Sequence, residues 1–185
     1  MSKKVLDLVQ TTFSDDVIYS HSRLGNDTVV VKRESLVAIM EFLRDNDATK
    51  MNFLRDITAV DYLHRTPRFE VVYVLYSMDH KHMLIVRVPL NEDDVQIPSV
   101  SHLWGCAGWL EREVFDMYGM IFTNHPDLRR VLLYEEFEGH PLRKDYATQA
   151  SQPRVELLKP ERDSVEEFLH FHKDKDQATG SRVAE

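Results

Sequence analysis

The chain has 185 residues, 43% of them apolar, enough to fill the core of one domain with a segment to spare. Its 23 basic and 31 acidic residues leave a net charge of −8, which sets the surface as a whole against phosphate backbones and anionic lipid, so nucleic acid is excluded as a first guess. A single cysteine, Cys106, excludes an internal disulfide and excludes this chain as the sole holder of an iron–sulfur cluster, which takes about four thiolates.

Helical spacing of Val5, Leu6, Val9 and Phe13 predicts a first helix over residues 3–13. The start of the chain carries Asp7 where a secretory apolar stretch would run. The longest apolar runs, near Val71–Tyr76 and Met83–Val86, fall far short of the ~20 residues that span a membrane, so a soluble cytosolic chain is expected. The β-branched run from Asp27 to Arg33 reads as a strand. Ser35 then opens a second helix with Leu36, Ile39, Met40 and Leu43 on one stripe, stopped at Asp45-Asn46-Asp47. Further strands are predicted at Asn52–Val60, Phe69–Tyr76 and Met83–Leu90, the last two joined as a hairpin through 77–82 and therefore antiparallel. Two helices and about five strands point to an α+β fold: a mixed, largely antiparallel sheet with helices on one face.

After Pro98, Ser99 or Ser101 is placed to cap a third helix running to about Tyr118, with Gly119 as its left-handed C-cap. Val100, Leu103, Ala107, Leu110, Val114 and Met117 form one apolar face. A second row through Trp104, Gly108, Glu111, Phe115 and Tyr118 suggests that the helix is covered on more than one side. The small run Gly105-Cys106-Ala107-Gly108 reads as a notch where another backbone presses close, with Cys106 buried in it. Glu111 and Glu113 point ~200° apart and cannot flank one bond, while Arg112 and Asp116, four apart, are expected to pair on the helix surface. A network of Glu111 and Arg112 that fixes the helix against its neighbours is the alternative.

From about Phe122 the periodicity disappears, yet Tyr134, Phe137 and Tyr146 and four prolines recur, unlike a disordered linker. Some forty residues without helix or strand rhythm signal a functional segment, read here as an extended arm ordered against something else. The expected organisation is a domain over 1–121, a partner-binding arm over 122–172 and a solvated end over 173–185. The arm contains His125-Pro126-Asp127-Leu128-Arg129-Arg130 and a partial echo, His140-Pro141-Leu142-Arg143-Lys144. Proline stiffens such a segment, and its guanidinium groups can grip carboxylates of a partner. Two exposed basic pairs on a loop would be the plainer account.

No glycine pattern of a nucleotide-binding loop is present, and the close histidine pairs lack the spacing of a zinc site. His102 and Cys106, four apart, could meet on one helix face as base and nucleophile, but nothing nearby supplies an oxyanion hole.

The run Glu111-Arg112-Glu113-Val114-Phe115-Asp116-Met117-Tyr118-Gly119, then His125–Leu132 and Phe137–Tyr146, resembles the signature of the 30 kDa-type (C-type) subunit of respiratory NADH:quinone oxidoreductase, complex I. Asp56–Tyr62 matches more loosely. Asn124, Glu136 and Ala147 depart from the glycine, glycine and proline common in that family. Asparagine tolerates the positive φ a glycine would supply. The resemblance implies a structural subunit of the hydrophilic arm with no cofactor of its own, flavin mononucleotide (FMN) and iron–sulfur clusters being held by partner subunits. Its extended C-terminal segment would lie over the quinone-site (D-type) subunit, on the cytoplasmic face of the inner membrane or its organelle equivalent. Trp104, Trp109, His125, Arg129, Arg130, His140, Arg143 and Lys144 are the interface residues this reading expects. No catalytic or metal-ligating residue is expected, and the membrane is touched only through the complex. The alternatives are the equivalent subunit of a membrane-bound hydrogenase or of a ferredoxin- or plastoquinone-linked complex, a stand-alone metallohydrolase using His80, His82 or His125, and a free-standing binding module for an acidic protein.

Overall fold

The computed structural model describes residues 2–153, and those up to Ser151 belong to one unit. Expectations for residues 154–185, including most of the second half of the arm, lie outside the described residues.

Helix α1 (Ser2–Thr12) leads into the hairpin β1 (Val17–Arg23) and β2 (Asn26–Val31), and a single 3-10 turn at 33–35 precedes α2 (Leu36–Asp45). Three long strands follow, β3 (Phe53–Asp61), β4 (Phe69–Ser77) and β5 (His82–Leu90), then β6 (Gln96–Pro98), α3 (Ala107–Tyr118) and β7 (Ile121–Thr123). The main sheet runs β1-β2-β5-β4-β3 and is antiparallel except between β2 and β5. That parallel pair is possible because α2 and two strands intervene, giving the chain length to return in the same direction. A small parallel pair, β6 and β7, closes the far end.

Alternation along the strands decides the layering. Val29 and Val31, Val71, Tyr73 and Leu75, and Leu84, Val86 and Val88 point to one side and share a single core with Leu6 and Val9 of α1, Ile39 and Met40 of α2, and Ala107 and Val114 of α3. The three helices therefore lie on one face, as the patterning predicts. The opposite face is buried at Thr28, Val30 and Val72 and half-buried at Val74, Ile85 and Arg87.

Three local expectations are corrected. Strand β1 is not predicted by the sequence pattern because all seven of its residues are at least partly exposed, so no apolar alternation marks it. Helix α3 begins at Ala107 rather than at Ser99 or Ser101, since Ser99 spends its hydroxyl on Glu111 and residues 100–104 close a separate turn on the Val100 carbonyl. The 105–108 notch is not closed by a backbone at its glycines: a side chain at Gly105 would meet open space and Gly108 faces the His125 imidazole, while Cys106 is exposed rather than buried, its Sγ 3.6 Å from the Leu54 carbonyl.

Candidate partner-binding site

From Asn124 to Pro153 the chain forms no helix or strand, yet residues 125–146 are fixed to the chain's own α3 at both ends. The last four carbonyls of an α-helix lack partners within it. In α3 every one of them is used. Gly119, left-handed at φ 75°, donates its N–H to Phe115, and the arm supplies the rest: His140 Nδ1–H to Asp116 at 3.0 Å, Leu142 N–H to Met117 at 3.1 Å and Arg143 Nε–H to Tyr118. The second His-Pro motif is thus a C-terminal cap, and the Arg143 cation sits where the helix dipole favours positive charge.

Asp116 is the second anchor. Its buried carboxylate accepts the Arg130 guanidinium at 2.7 Å through Oδ1, and through Oδ2 the N–H groups of Val131, Leu132 and Leu133 at 3.1, 2.8 and 2.9 Å. Burial pushes this carboxyl up, but the three amides and Arg130 outweigh it and hold it below the usual range. The expected surface pair of Arg112 with Asp116 does not form. Arg112 instead donates to the carbonyls of Arg129 and Arg130 at 3.0 and 2.9 Å and lies over the Trp109 ring. Arg130 also donates to the carbonyls of Phe137 and Gly139.

The first His-Pro motif is held at the other end of α3. His125 accepts the Asp127 N–H at Nδ1, which places its proton on Nε2, and that nitrogen donates to Gly108 O at 3.0 Å. Behind it, fully buried Glu111 accepts from Ser99 Oγ at 2.6 Å and Val100 N at 2.7 Å. Burial raises the Glu111 carboxyl above its usual range against the pull of those two bonds.

A third fastening lies at the end of β3 and β4. Buried Arg68 grips Asp61 with two bonds of 2.9 and 2.8 Å, while Asp61 also accepts the Lys144 N–H at 2.8 Å and Asp145 pairs with Arg68 at 3.0 Å. The Arg68 guanidinium holds Asp61 below the usual carboxylate range against the opposing effect of burial.

The residues expected at an interface therefore divide. Arg130, His125, His140 and Arg143 point back into the chain, and Lys144 joins them through its backbone. Trp104 belongs to the core and does not reach the surface. Trp109, 63% exposed, and Arg129, paired with Asp127, face outward, together with Leu132 at 62% and the exposed Leu142 and Tyr134. The anchors that sequence patterning does not reveal are Asp61, Arg68 and the carboxylate of Asp116. Their partners lie 7 to 83 residues away, where no periodicity links them.

His80, His82 and His125 are engaged in three separate places, with Asp47 O, Asp27 and Gly108 O, and among the described residues no three His, Cys, Asp or Glu side chains converge as metal ligands. His102 approaches Glu41 at 3.8 Å. No helix among the described residues is long and apolar enough to cross a membrane.

Known proteins share both the sequence and the fold. Residues 29–152 match the model of the respiratory-chain NADH dehydrogenase 30 kDa subunit. The C-type subunit of NADH-quinone oxidoreductase from Geobacter metallireducens is 49% identical over 138 residues, 74% of this chain and 84% of that protein. Its counterpart from Geotalea uraniireducens is 44% identical over 137 residues, 74% and 82% of the two chains. Among solved structures, the trypsin-resistant fragment (1–134) of Nqo5 superposes with a TM-score of 0.58 at 37% identity, over 68% of this chain and 98% of that one. A chain of the archaeal membrane-bound sulfane sulfur reductase shares the fold, with a TM-score of 0.66 at 19% identity over 85% and 96% of the two chains. The chain belongs to the family of the 30 kDa subunit of respiratory NADH dehydrogenase, the C-type subunit of NADH-quinone oxidoreductase.

Proposed function

We propose that this chain is a non-catalytic, cofactor-free subunit of NADH:quinone oxidoreductase that clamps the quinone-site subunit of the hydrophilic arm. FMN and the iron–sulfur clusters reside in partner subunits, and the assembly sits on the cytoplasmic face of the bacterial membrane or on the matrix side of its organelle equivalent. The relatives' shared name favours this over the hydrogenase-type and ferredoxin- or plastoquinone-linked complexes.

The observation that carries the reading is the polarity of the arm. Arg130, His140, Arg143 and the amides of 131–133 turn inward onto α3, while Leu132 and Leu142 of the arm and Trp109 of α3 are left exposed, the reverse of what a free surface loop gains from. An irregular segment held rigid in advance loses little entropy on docking, so its exposed apolar residues can serve as anchors. Arg129 and Lys144 remain on the outside to meet carboxylates at the rim.

The relative solved as a trypsin-resistant fragment of residues 1–134 supports a stable domain followed by a segment of another kind. The test is the double substitution Leu132→Asp and Leu142→Asp. Since both side chains are exposed, the isolated chain should keep its stability within about 0.5 kcal/mol. Co-purification with the quinone-site subunit should be lost, and normal assembly of the double variant would remove the proposal.

A further inference from the structure

Each edge strand of the main sheet carries one bulge, but the two differ in cover. The β3 edge is interrupted by a bulge between Leu54 and Asp56 and flanked by α3, with Cys106 Sγ 3.6 Å from the Leu54 carbonyl. At the β1 edge no described strand lies beyond, and none of its seven residues is buried. An exposed edge is a template for another strand, and proteins blunt it with lysine, proline, inward charge or a cover. Val17–Arg23 contains no lysine, proline or acid, and its one irregularity, between Val17 and Tyr19, leaves Ser20–Arg23 in regular register with β2.

The hairpin tip carries a second anomaly. Leu24 and Gly25 both have positive φ, 53° and 82°, as a two-residue hairpin turn of this twist requires. Asparagine, aspartate or glycine suits the first position, whereas a leucine there is strained. This leucine is also 92% exposed, so neither backbone preference nor burial in the described chain accounts for it. Ile18 and Tyr19, each about half-exposed, lie at the opposite end of the strand from Leu24.

We propose that the outer edge of β1 and the Leu24 tip form a second docking surface, which receives an extended segment of a neighbouring subunit of the complex as a sixth strand. Charge identifies the segment. From Val17 to Gly25 the strand and tip carry the Arg23 cation and no carboxylate, on a chain of net charge −8, so the incoming strand places a carboxylate opposite Arg23 and apolar side chains beside Leu24, Ile18 and Tyr19. A second copy of this chain fits poorly. Antiparallel self-pairing about Ser20 sets Arg23 opposite Val17 and Asp16 opposite Leu24, so no carboxylate stands directly across from Arg23, and two such chains repel overall.

The inference rests on membership of a multi-subunit complex and not on the role of the arm, so it stands or falls separately from the Leu132 and Leu142 test. Hydrogen exchange of the β1 amides is compared between the isolated chain and the assembled complex. Those amides not bonded to β2 should exchange about tenfold or more slowly in the complex. Leu24→Asn separates docking from folding: it relieves the turn, so the isolated chain should melt higher, while Leu24→Asn or Arg23→Glu should weaken retention in the complex about tenfold. A cysteine-directed cross-linker on Ser22→Cys in the complex should join β1 to another subunit. Equal exchange rates in the two states, undiminished retention of both variants, or cross-links only between copies of this chain would each overturn the proposal.

Discussion

The Asp116 carboxylate and the Arg130 guanidinium meet at 2.7 Å, and three consecutive amides following Arg130 close on the other oxygen of the same carboxylate. One side chain of α3 thereby sets the path of four arm residues. Asp116→Asn keeps the shape but removes the charge that balances a mostly buried guanidinium. Breaking such a pair costs about 3 kcal/mol. Urea unfolding of the isolated chain should show that loss, and the amides of residues 131–133 should lose exchange protection before the sheet does. Protection equal to that of the parent chain would mean that Asp116 does not organise the arm.

Gly119 tests the cap at the end of α3. A β-carbon there would stand 2.6 Å from two atoms of the His140 ring and 2.8 Å from Arg143 Nη2, in a left-handed conformation. Gly119→Ala should cost about 1–2 kcal/mol from the backbone alone, and more through displacement of His140. Adding His140→Ala removes the collision with the ring but neither the contact with Arg143 Nη2 nor the backbone strain, so the double variant should be less destabilised than the sum of the two single changes. Strict additivity in thermal unfolding would show that the arm does not sit on Gly119 as described.

Much of the fold is legible in sequence. The strands 53–61, 69–77 and 82–90 announce themselves because each alternates between a filled core and a half-covered face, and Leu36 to Leu43 repeat at helical spacing. Asn124 shows the left-handed φ of 63° that its departure from glycine tolerates. Strand β1 escapes because only Val17 packs against the core and none of its seven residues is buried. The arm is legible as irregular but ordered, whereas its fastenings are not. The Asp116 amides lie 15 to 17 residues downstream and Lys144 is 83 residues from Asp61, separations set by tertiary path and not by any repeat. The local rule that pairs Arg112 with Asp116 loses because the arm offers Arg112 two carbonyls and gives Asp116 a better-placed guanidinium.

His140 makes the cap sensitive to acid. Burial lowers its pKa below the ordinary histidine value, and the nearby Arg143 and Arg130 cations lower it further against the opposing hydrogen bond to Asp116 O. The unfolded chain therefore binds this proton more readily than the folded one. The contribution is fully present above about pH 6.5, the unfolded value, and is lost as pH falls through the depressed folded value. Thermal unfolding between pH 7.5 and 5 should show a fall in melting temperature that His140→Asn reduces. An unchanged slope in that variant would assign the pH dependence elsewhere, with His82, shifted in the same direction, as the first group to examine.

The clasp at Arg68 allows a comparison in which magnitude decides between two partners. Asp61 is buried and held by both guanidinium nitrogens of a fork, whereas Asp145 is about half-exposed and meets the same guanidinium from solvent. Solvent screens the second pair, so Asp145→Asn should cost at most about 1 kcal/mol. Asp61→Asn leaves Arg68 buried beside a neutral amide and also weakens acceptance of the Lys144 N–H, and should cost about 3 kcal/mol. Arg68→Lys should fall nearer the larger value, because an ammonium cannot reproduce the two-point grip on Asp61 while reaching Asp145 and Glu92. The order of these three in urea unfolding separates a clasp built on Asp61 from one built on Asp145. Equal losses for Asp61→Asn and Asp145→Asn would show that the arm end is held by diffuse charge, in which case raising the salt concentration should release it.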